Sequence, residues 1–264
     1  MRKPSPATTH QPFNGRLDRL DALRGLAMVW MTVFHFCFDL SYLRLWQQDF
    51  YRDPFWLWQR TAIVSLFLLC AGMGQAAALA QAVPWRRFLR RWSLVAGCAL
   101  LVSVGSYFVF PQSYIYFGVL HGMALMLLLL RGLRRAPTWL LLVLAAACLA
   151  LPHAYRLLVG DGGGALAAAL NSRAGSVLGL VTQKPRTEDY VPLLPWLGVM
   201  LIGLVAGRYW LSSQSNGGSW WQRSVQSRAG RLLAWLGRHS LPYYMLHQLV
   251  LLGALMLMLQ VLRA

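Results

Sequence analysis

Residues 20–40 read LDALRGLAMVWMTVFHFCFDL, and this apolar run predicts a helix that crosses a lipid bilayer. A crossing needs about 20 mostly apolar residues, which the run supplies. It is too long for the core of a secretion signal, and it contains His35 and Asp39. Tyr42 and Trp46 follow where a signal would carry small residues for cleavage. We therefore expect a helix that the mature protein retains.

Six further apolar stretches match the first in length and composition. They lie near 57–80, 92–111, 115–131, 138–157, 190–211 and 239–262. Hydrophobic residues make up 57% of the 264-residue chain and charged residues only 12%, so the apolar surface exceeds what one soluble core can bury. The predicted fold class is all-α, a polytopic transmembrane bundle of about seven helices. The bounds of the span near 115–131 are the least well defined.

The formal net charge of +17 is distributed between the apolar spans and is not gathered on one soluble face. If the N-terminus is cytoplasmic, most arginines fall in cytoplasmic segments, as the positive-inside rule requires, and the C-terminus lies outside. This distribution argues against nucleic acid as a partner and for the lipid bilayer. The sequence does not fix the number of subunits, so a homo-oligomer is left open.

The polar, proline-containing residues 1–15 are predicted to form a disordered cytoplasmic tail before a single membrane domain, 16–264. The four cysteines lie inside apolar spans without the spacing of a disulfide framework or a metal site, so no metal is predicted. The outer connection of about 158–189 is long enough for a flexible loop over an outward-facing site. Residues 212–230 have the composition of a linker.

Three ionisable side chains share one stripe of the first span. His35 follows Arg24 by about three turns and lies roughly 16 Å deeper, and Asp39 follows one turn later. Ionisable side chains are costly in lipid, so each indicates function by default. A carboxylate one turn away can fix the tautomer of an imidazole, and Asp39 is therefore predicted to orient His35 as a general base. The alternative is a His–Asp pair that only joins helices or satisfies buried polarity.

Basic residues gather at the start of the third span, where residues 85–92 read WRRFLRRW. Arg87 and Arg90 share a helix face at this boundary, and guanidinium groups suit phosphate. Together with Arg24 they predict a cytoplasmic pocket for a polyphosphate ligand. Taken alone, the cluster is more typical of a run that orients its helix in the membrane.

The remaining candidates lie on later spans. His121 opens the fourth span at a depth that would let its imidazole face the histidine of the first span. Asp189, Tyr190 and Trp196 begin the sixth span, either as part of an outward-facing site or as a helix cap with an interfacial aromatic residue. His247 and Gln248 lie at mid-depth in the last span, where we favour hydrogen bonds between helices.

These motifs, in this order, resemble the bacterial members of the heparan-alpha-glucosaminide N-acetyltransferase catalytic-domain family, from Arg16 to about Leu257. The matching stretches are LDALRG at 20–25, HFCFDL at 35–40, FGVLHG at 117–122, DYVPLLPWLG at 189–198, and SL at 240–241 with YMLHQ at 244–248. A broader likeness is to acyltransferase-3 membrane proteins, whose hallmark is an Arg, ten residues and a His, with a later Arg-x-x-Arg. Arg24 with His35 fits the first pattern, and residues 87–90 fit the second.

The resemblance implies an enzyme of a bacterial inner membrane that takes acetyl-CoA from the cytoplasm as co-substrate and moves its acetyl group to a sugar or glycan acceptor at or beyond the membrane. It implies that Arg24, Arg87 and Arg90 contact the coenzyme phosphates. We expect the other candidates to form the catalytic site and the acceptor site. The catalytic residues are His35, Asp39 and His121, and the acceptor-binding residues are Asp189, Tyr190, Trp196 and His247.

The buried ionisable residues also fit other functions. A proton-coupled small-solute permease would use His35, Asp39 and His121 as a relay. A haem-binding membrane protein would take histidines from different helices, although their predicted depths disfavour it.

The chain also lacks the stretch after the first helix that carries the proposed active histidine of the lysosomal enzyme, which argues against heparan glucosaminide as the substrate.

Overall fold

The computed structural model describes residues 17–160, 163–212 and 225–263, and within these ranges the chain is mostly helical. The helices are α1 (Asp18–Tyr42), α2 (Pro54–Ala80), α3 (Trp85–Val109), α4 (Val119–Gly132), α5 (Thr138–Val159), α6 (Ala165–Asn171), α7 (Arg173–Ser176), α8 (Leu193–Ser212), α9 (Arg228–Arg238) and α10 (Ser240–Arg263). The all-α prediction is confirmed. The predicted tail, 1–15, and most of the predicted linker lie outside the described residues.

In the part of the chain that the structure describes, six helices are long and apolar enough to cross a membrane: α1, α2, α3, α5, α8 and α10. The fourth predicted span differs, because residues 110–118 are not helical and α4 has only 14 residues. At 1.5 Å per residue it is about 21 Å long. Irregular chain at membrane depth is tolerated where protein covers it, and residues 113–118 are at least half-buried before the deeply buried α4. Within the described ranges, the seven predicted spans thus correspond to six long helices and a shorter internal one.

Helices α4 and α8 form the centre of the bundle. α8 packs against α2 and α5, and α4 contacts α3, α8 and α2. Met126, Leu130, Met200 and Leu204 from these two helices are completely buried. The long helices around this centre, such as α3, α5 and α10, expose many large apolar side chains on the outer surface of the bundle, where a lipid bilayer would cover them.

Helices α9 and α10 run beside α1 in the same direction. Near the start of α1, helices α1 and α9 cross so closely that a methyl group on Gly25 would meet the Leu233 carbonyl. Further along, the hydroxyls of Thr32 and Tyr243 are 2.6 Å apart. This close packing sets which residues of α10 face the second half of α1.

The two ends of the bundle differ in composition. At one end, where α1 starts, Arg131 lies over the rings of Trp85 and Phe88, and Arg208 donates to the Ala136 carbonyl at 2.7 Å. We call this the basic end. The opposite end carries the connections 43–53, 110–118 and 177–192, and we call it the loop end.

Candidate functional site

Four polar side chains form a row between α1 and α10, and we call them the polar row: His35 and Asp39 from α1, His247 and Gln248 from α10. The ring centroids of His35 and His247 are 5.1 Å apart, edge to face. Nε2 of Gln248 donates a hydrogen bond to Oδ1 of Asp39 at 2.7 Å. Asp39 is 2% exposed and His247 8%, while His35 and Gln248 are half-buried, so the row is largely enclosed by the protein.

The polar row contains three buried atoms without a hydrogen-bond partner among the described residues. They are Oδ2 of Asp39, Nε2 of His247 and Oε1 of Gln248. Buried polar atoms are nearly always hydrogen-bonded, because leaving one unpaired costs about 1–3 kcal/mol. Three such atoms in one row therefore mark a place where another molecule would supply the missing partners.

The predicted hydrogen bond between His35 and Asp39 is not present. Asp39 is bonded to Gln248, while His35 makes ring contacts with Phe34, at 5.8 Å, and His247. Asp39 lies one turn from His35, within reach of its imidazole. Its Oδ1 instead accepts a hydrogen bond from the Gln248 amide on α10. The predicted role of His247 and Gln248 in hydrogen bonds between helices agrees with this bond for Gln248, but its partner on α1 was not predicted.

Arg24 joins α1 to α2 at the basic end. Its Nη1 donates to Oδ1 of Asp21 at 3.0 Å and its Nη2 to the Cys70 carbonyl at 3.1 Å, and the side chain remains 26% exposed. Arg87 and Arg90 are exposed at the start of α3, a helix that packs mainly on α4. The structure therefore does not bring the three arginines into one pocket.

A cavity of about 300 Å³ lies beside Arg24's end of α1, between the start of that helix and α9. It is lined by Asp18, Val225, Gln226, Arg231, Ala234 and Arg238. The two arginines are two turns apart on α9 and give the cavity an excess of positive charge. These residues were not predicted, because only the packing of α9 on α1 brings them to this end.

His121 stabilises the loop end instead of facing His35. Its Nδ1 accepts a hydrogen bond from the Gly118 N–H at 3.3 Å, so Nε2 carries the hydrogen and donates to Oγ of Ser103 at 3.0 Å. Oγ of Ser103 in turn donates to the Ile115 carbonyl at 2.7 Å. Both imidazole nitrogens are thus used to hold the start of α4 against α3.

Asp189 connects the loop end to α10. Its Oδ2 accepts a hydrogen bond from the Val119 N–H at 2.7 Å, which caps α4, and its carboxylate also interacts with the Tyr244 side chain. Burial raises the pKa of Asp189, against the opposing effects of the Val119 N–H and the charge of Arg60. Because Tyr244 is one turn before His247, Asp189 is close to the polar row.

The other loop-end candidates have different surroundings. Tyr190 donates its hydroxyl hydrogen to the Ser176 carbonyl at 2.6 Å, whereas Trp196 packs against the apolar core. Sequence reasoning missed Lys184, whose Nζ lies 5.4 Å from the ring centre of Tyr51. Burial and the charge of Arg60 lower the pKa of Lys184. The positive charges of Arg60 and Lys184 therefore lie near Asp189.

The fold and the polar row define a multi-pass membrane protein with buried acid–base groups. The family model described as heparan-alpha-glucosaminide N-acetyltransferase, catalytic, matches residues 16–249. The chain belongs to this family, and the resemblance of its motifs is confirmed. Membership implies an acetyltransferase. No curated protein and no solved structure matches the chain.

Proposed function

We propose that this protein transfers an acetyl group from cytoplasmic acetyl-CoA to a sugar or glycan acceptor at or beyond a bacterial inner membrane. The polar row carries the proposal, because it places two imidazoles, a carboxyl group and an amide inside a bundle that is basic at one end. The family membership supports the reaction class. The positive-inside rule supports a cytoplasmic basic end.

The donor approaches from the basic end. The Arg24 side chain is partly exposed, with its guanidinium bonded to Asp21 and the Cys70 carbonyl, and it meets a coenzyme phosphate there. Arg231 and Arg238 add charge in the cavity beside α1. Arg87 and Arg90, exposed on α3, attract the anionic donor over a longer range.

The transfer takes place along the polar row. An imidazole accepts the proton of the acceptor amine or hydroxyl while that group attacks the thioester carbonyl carbon. His35 contacts the reacting groups, and Oδ2 of Asp39 accepts a hydrogen bond from the acceptor. We assign His121 the role of holding the start of α4.

The acceptor approaches from the loop end. Asp189 and Lys184 supply hydrogen-bonding groups of opposite charge at this end, and Tyr190 shapes its wall. Trp196 supports the site through the core. His247 lies at the inner end of the acceptor's path. The side chain of Tyr244, one turn earlier on α10, interacts with Asp189, and the Tyr244 carbonyl is bonded to His247.

The test is binding and turnover of acetyl-CoA by the detergent-purified protein. We expect saturable binding that Arg24→Ala weakens at least several-fold, since a charge-assisted hydrogen bond contributes about 1.5–3 kcal/mol. Arg52→Ala, at an exposed position in the loop end, is the matched control and should bind normally. His35→Ala should bind but turn over more slowly.

Two results would count against the proposal. Equal binding by Arg24→Ala and Arg52→Ala would remove Arg24 from the donor site, and full turnover by a correctly inserted His35→Ala would remove His35 from the reaction. Solute uptake by vesicles containing the protein, without acetyl-CoA consumption, would favour the permease instead.

A further inference from the structure

We propose that His247, and not His35, is the general base of the transfer, with Nε2 as the atom that accepts the proton. The inference rests on the proposed function, because it assigns one step of that reaction. In the polar row, the chemistry of each partner determines which atom donates and which accepts a hydrogen bond.

The backbone fixes the tautomer of His247. Its Nδ1 lies 2.6 Å from the Tyr244 carbonyl oxygen, and a carbonyl oxygen can only accept, so Nδ1 carries the hydrogen. In the neutral imidazole Nε2 then has a free lone pair, and that nitrogen is buried without a partner among the described residues. A general base needs this arrangement, in which one nitrogen is held by a fixed hydrogen bond and the other is free.

The other histidines in the described part of the chain fit the role less well. His35 contacts rings only, those of Phe34 and His247, so no described hydrogen bond selects its tautomer. Both nitrogens of His121 are used at the start of α4. His153 and His239 also bond a backbone carbonyl through Nδ1, but they are exposed and lie outside the polar row.

The neighbours of Nε2 indicate which chemical group enters the site. Oδ2 of Asp39 and Oε1 of Gln248 are acceptors as well, and one amide hydrogen of Gln248 is already donated to Oδ1 of Asp39. Three buried acceptors without a donor require a group that brings its own N–H or O–H hydrogens. An amine or a hydroxyl does so, and each becomes a nucleophile when it loses a proton.

The step balances without any further reactant. As the acceptor nitrogen or oxygen bonds to the thioester carbonyl carbon, its hydrogen moves to Nε2 of His247 and the carbon–sulfur bond breaks with both electrons on sulfur. The thiolate then takes the proton from Nε2 and leaves as the thiol. His247 returns to the neutral tautomer that the Tyr244 carbonyl selects.

The test compares His247→Asn and His35→Asn in the purified full-length protein, with thiol release from acetyl-CoA measured against pH and glucosamine as the probe acceptor. Asn at position 247 keeps an N–H near the Nδ1 position for the Tyr244 carbonyl but has no group at Nε2. We expect its turnover to fall about 10²–10⁴-fold, the usual contribution of a general base, with acetyl-CoA binding unchanged.

His35→Asn provides an outcome that does not depend on how well the His247 variant folds. If His247 is the base, the His35 variant is slower but keeps the fall in rate at low pH that marks protonation of the base. Loss of that fall in His35→Asn, or turnover by His247→Asn within threefold of wild type, overturns the assignment and leaves the acyltransferase function standing. A wild-type protein that releases no thiol overturns both.

Discussion

Replacing Gln248 with methionine should destabilise the protein by removing one hydrogen bond, from Gln248 to Asp39. The change keeps the length of the side chain but removes the N–H that Oδ1 of Asp39 accepts at 2.7 Å. Oδ2 already lacks a partner among the described residues, so the variant leaves a carboxyl group that is 2% exposed without any described hydrogen bond. Hydrogen bonds to charged groups contribute about 1.5–3 kcal/mol, and each kcal/mol shifts Tm by about 2–4 °C in a chain of this size. We expect Tm to fall by about 3–12 °C.

Thermal unfolding in detergent, followed by tryptophan fluorescence, measures this shift, and Gln47→Met at an exposed loop position is the matched control. A double-mutant cycle with Asp39→Leu isolates the pair. Because the double variant removes both partners, its loss should be smaller than the sum of the single losses by about 1.5–3 kcal/mol. Additive losses, or equal Tm values for Gln248→Met and Gln47→Met, would refute the hydrogen bond as the cause.

Two further predictions concern the helix crossing and the loop end. Gly237→Ala should cost about 1–3 kcal/mol because its methyl group meets the Asp21 carbonyl, whereas Gly97→Ala, in open space, should not; equal Tm values would contradict this. Burial raises the pKa of Asp189, so the folded state holds that proton more tightly and wild type should lose stability relative to Asp189→Asn as pH rises above the ordinary value of 3.8. Parallel Tm curves between pH 4 and 8 would contradict the second prediction.

Sequence alone was sufficient for the long helices, because a crossing segment needs an apolar run whatever its neighbours are. It failed at α4, where a segment of similar hydropathy begins its helix only after the non-helical residues 110–118. Asp189 caps that late start from far along the chain, through the Val119 N–H. Such a contact has no local signal, so periodicity could not have located the boundary.

For the candidate site, the sequence indicated which polar residues of α1 and α10 lie within apolar spans, but not how they pair. Helical spacing correctly put His35 and Asp39 on one stripe, but the partner of Asp39 is Gln248, which depends on how α10 is positioned along α1. Arg231 and Arg238 likewise reach the end where Arg24 lies only because α9 packs on α1. Spacing within one helix can be predicted from the sequence, whereas the alignment of two helices depends on tertiary packing.

The alignment of α10 on α1 links the glycine crossing to the chemistry. Gly25 and Gly237 each lie so close to the opposite backbone that a methyl group would collide, which fixes α9 against α1 at the basic end. Only His239 separates α9 from α10, so the same crossing limits how far His247 can shift relative to His35. A shift of one residue along a helix is about 1.5 Å, enough to break the 2.7 Å bond between Asp39 and Gln248. The small residues at one end of α1 are therefore part of what holds the acid–base groups in place at the other.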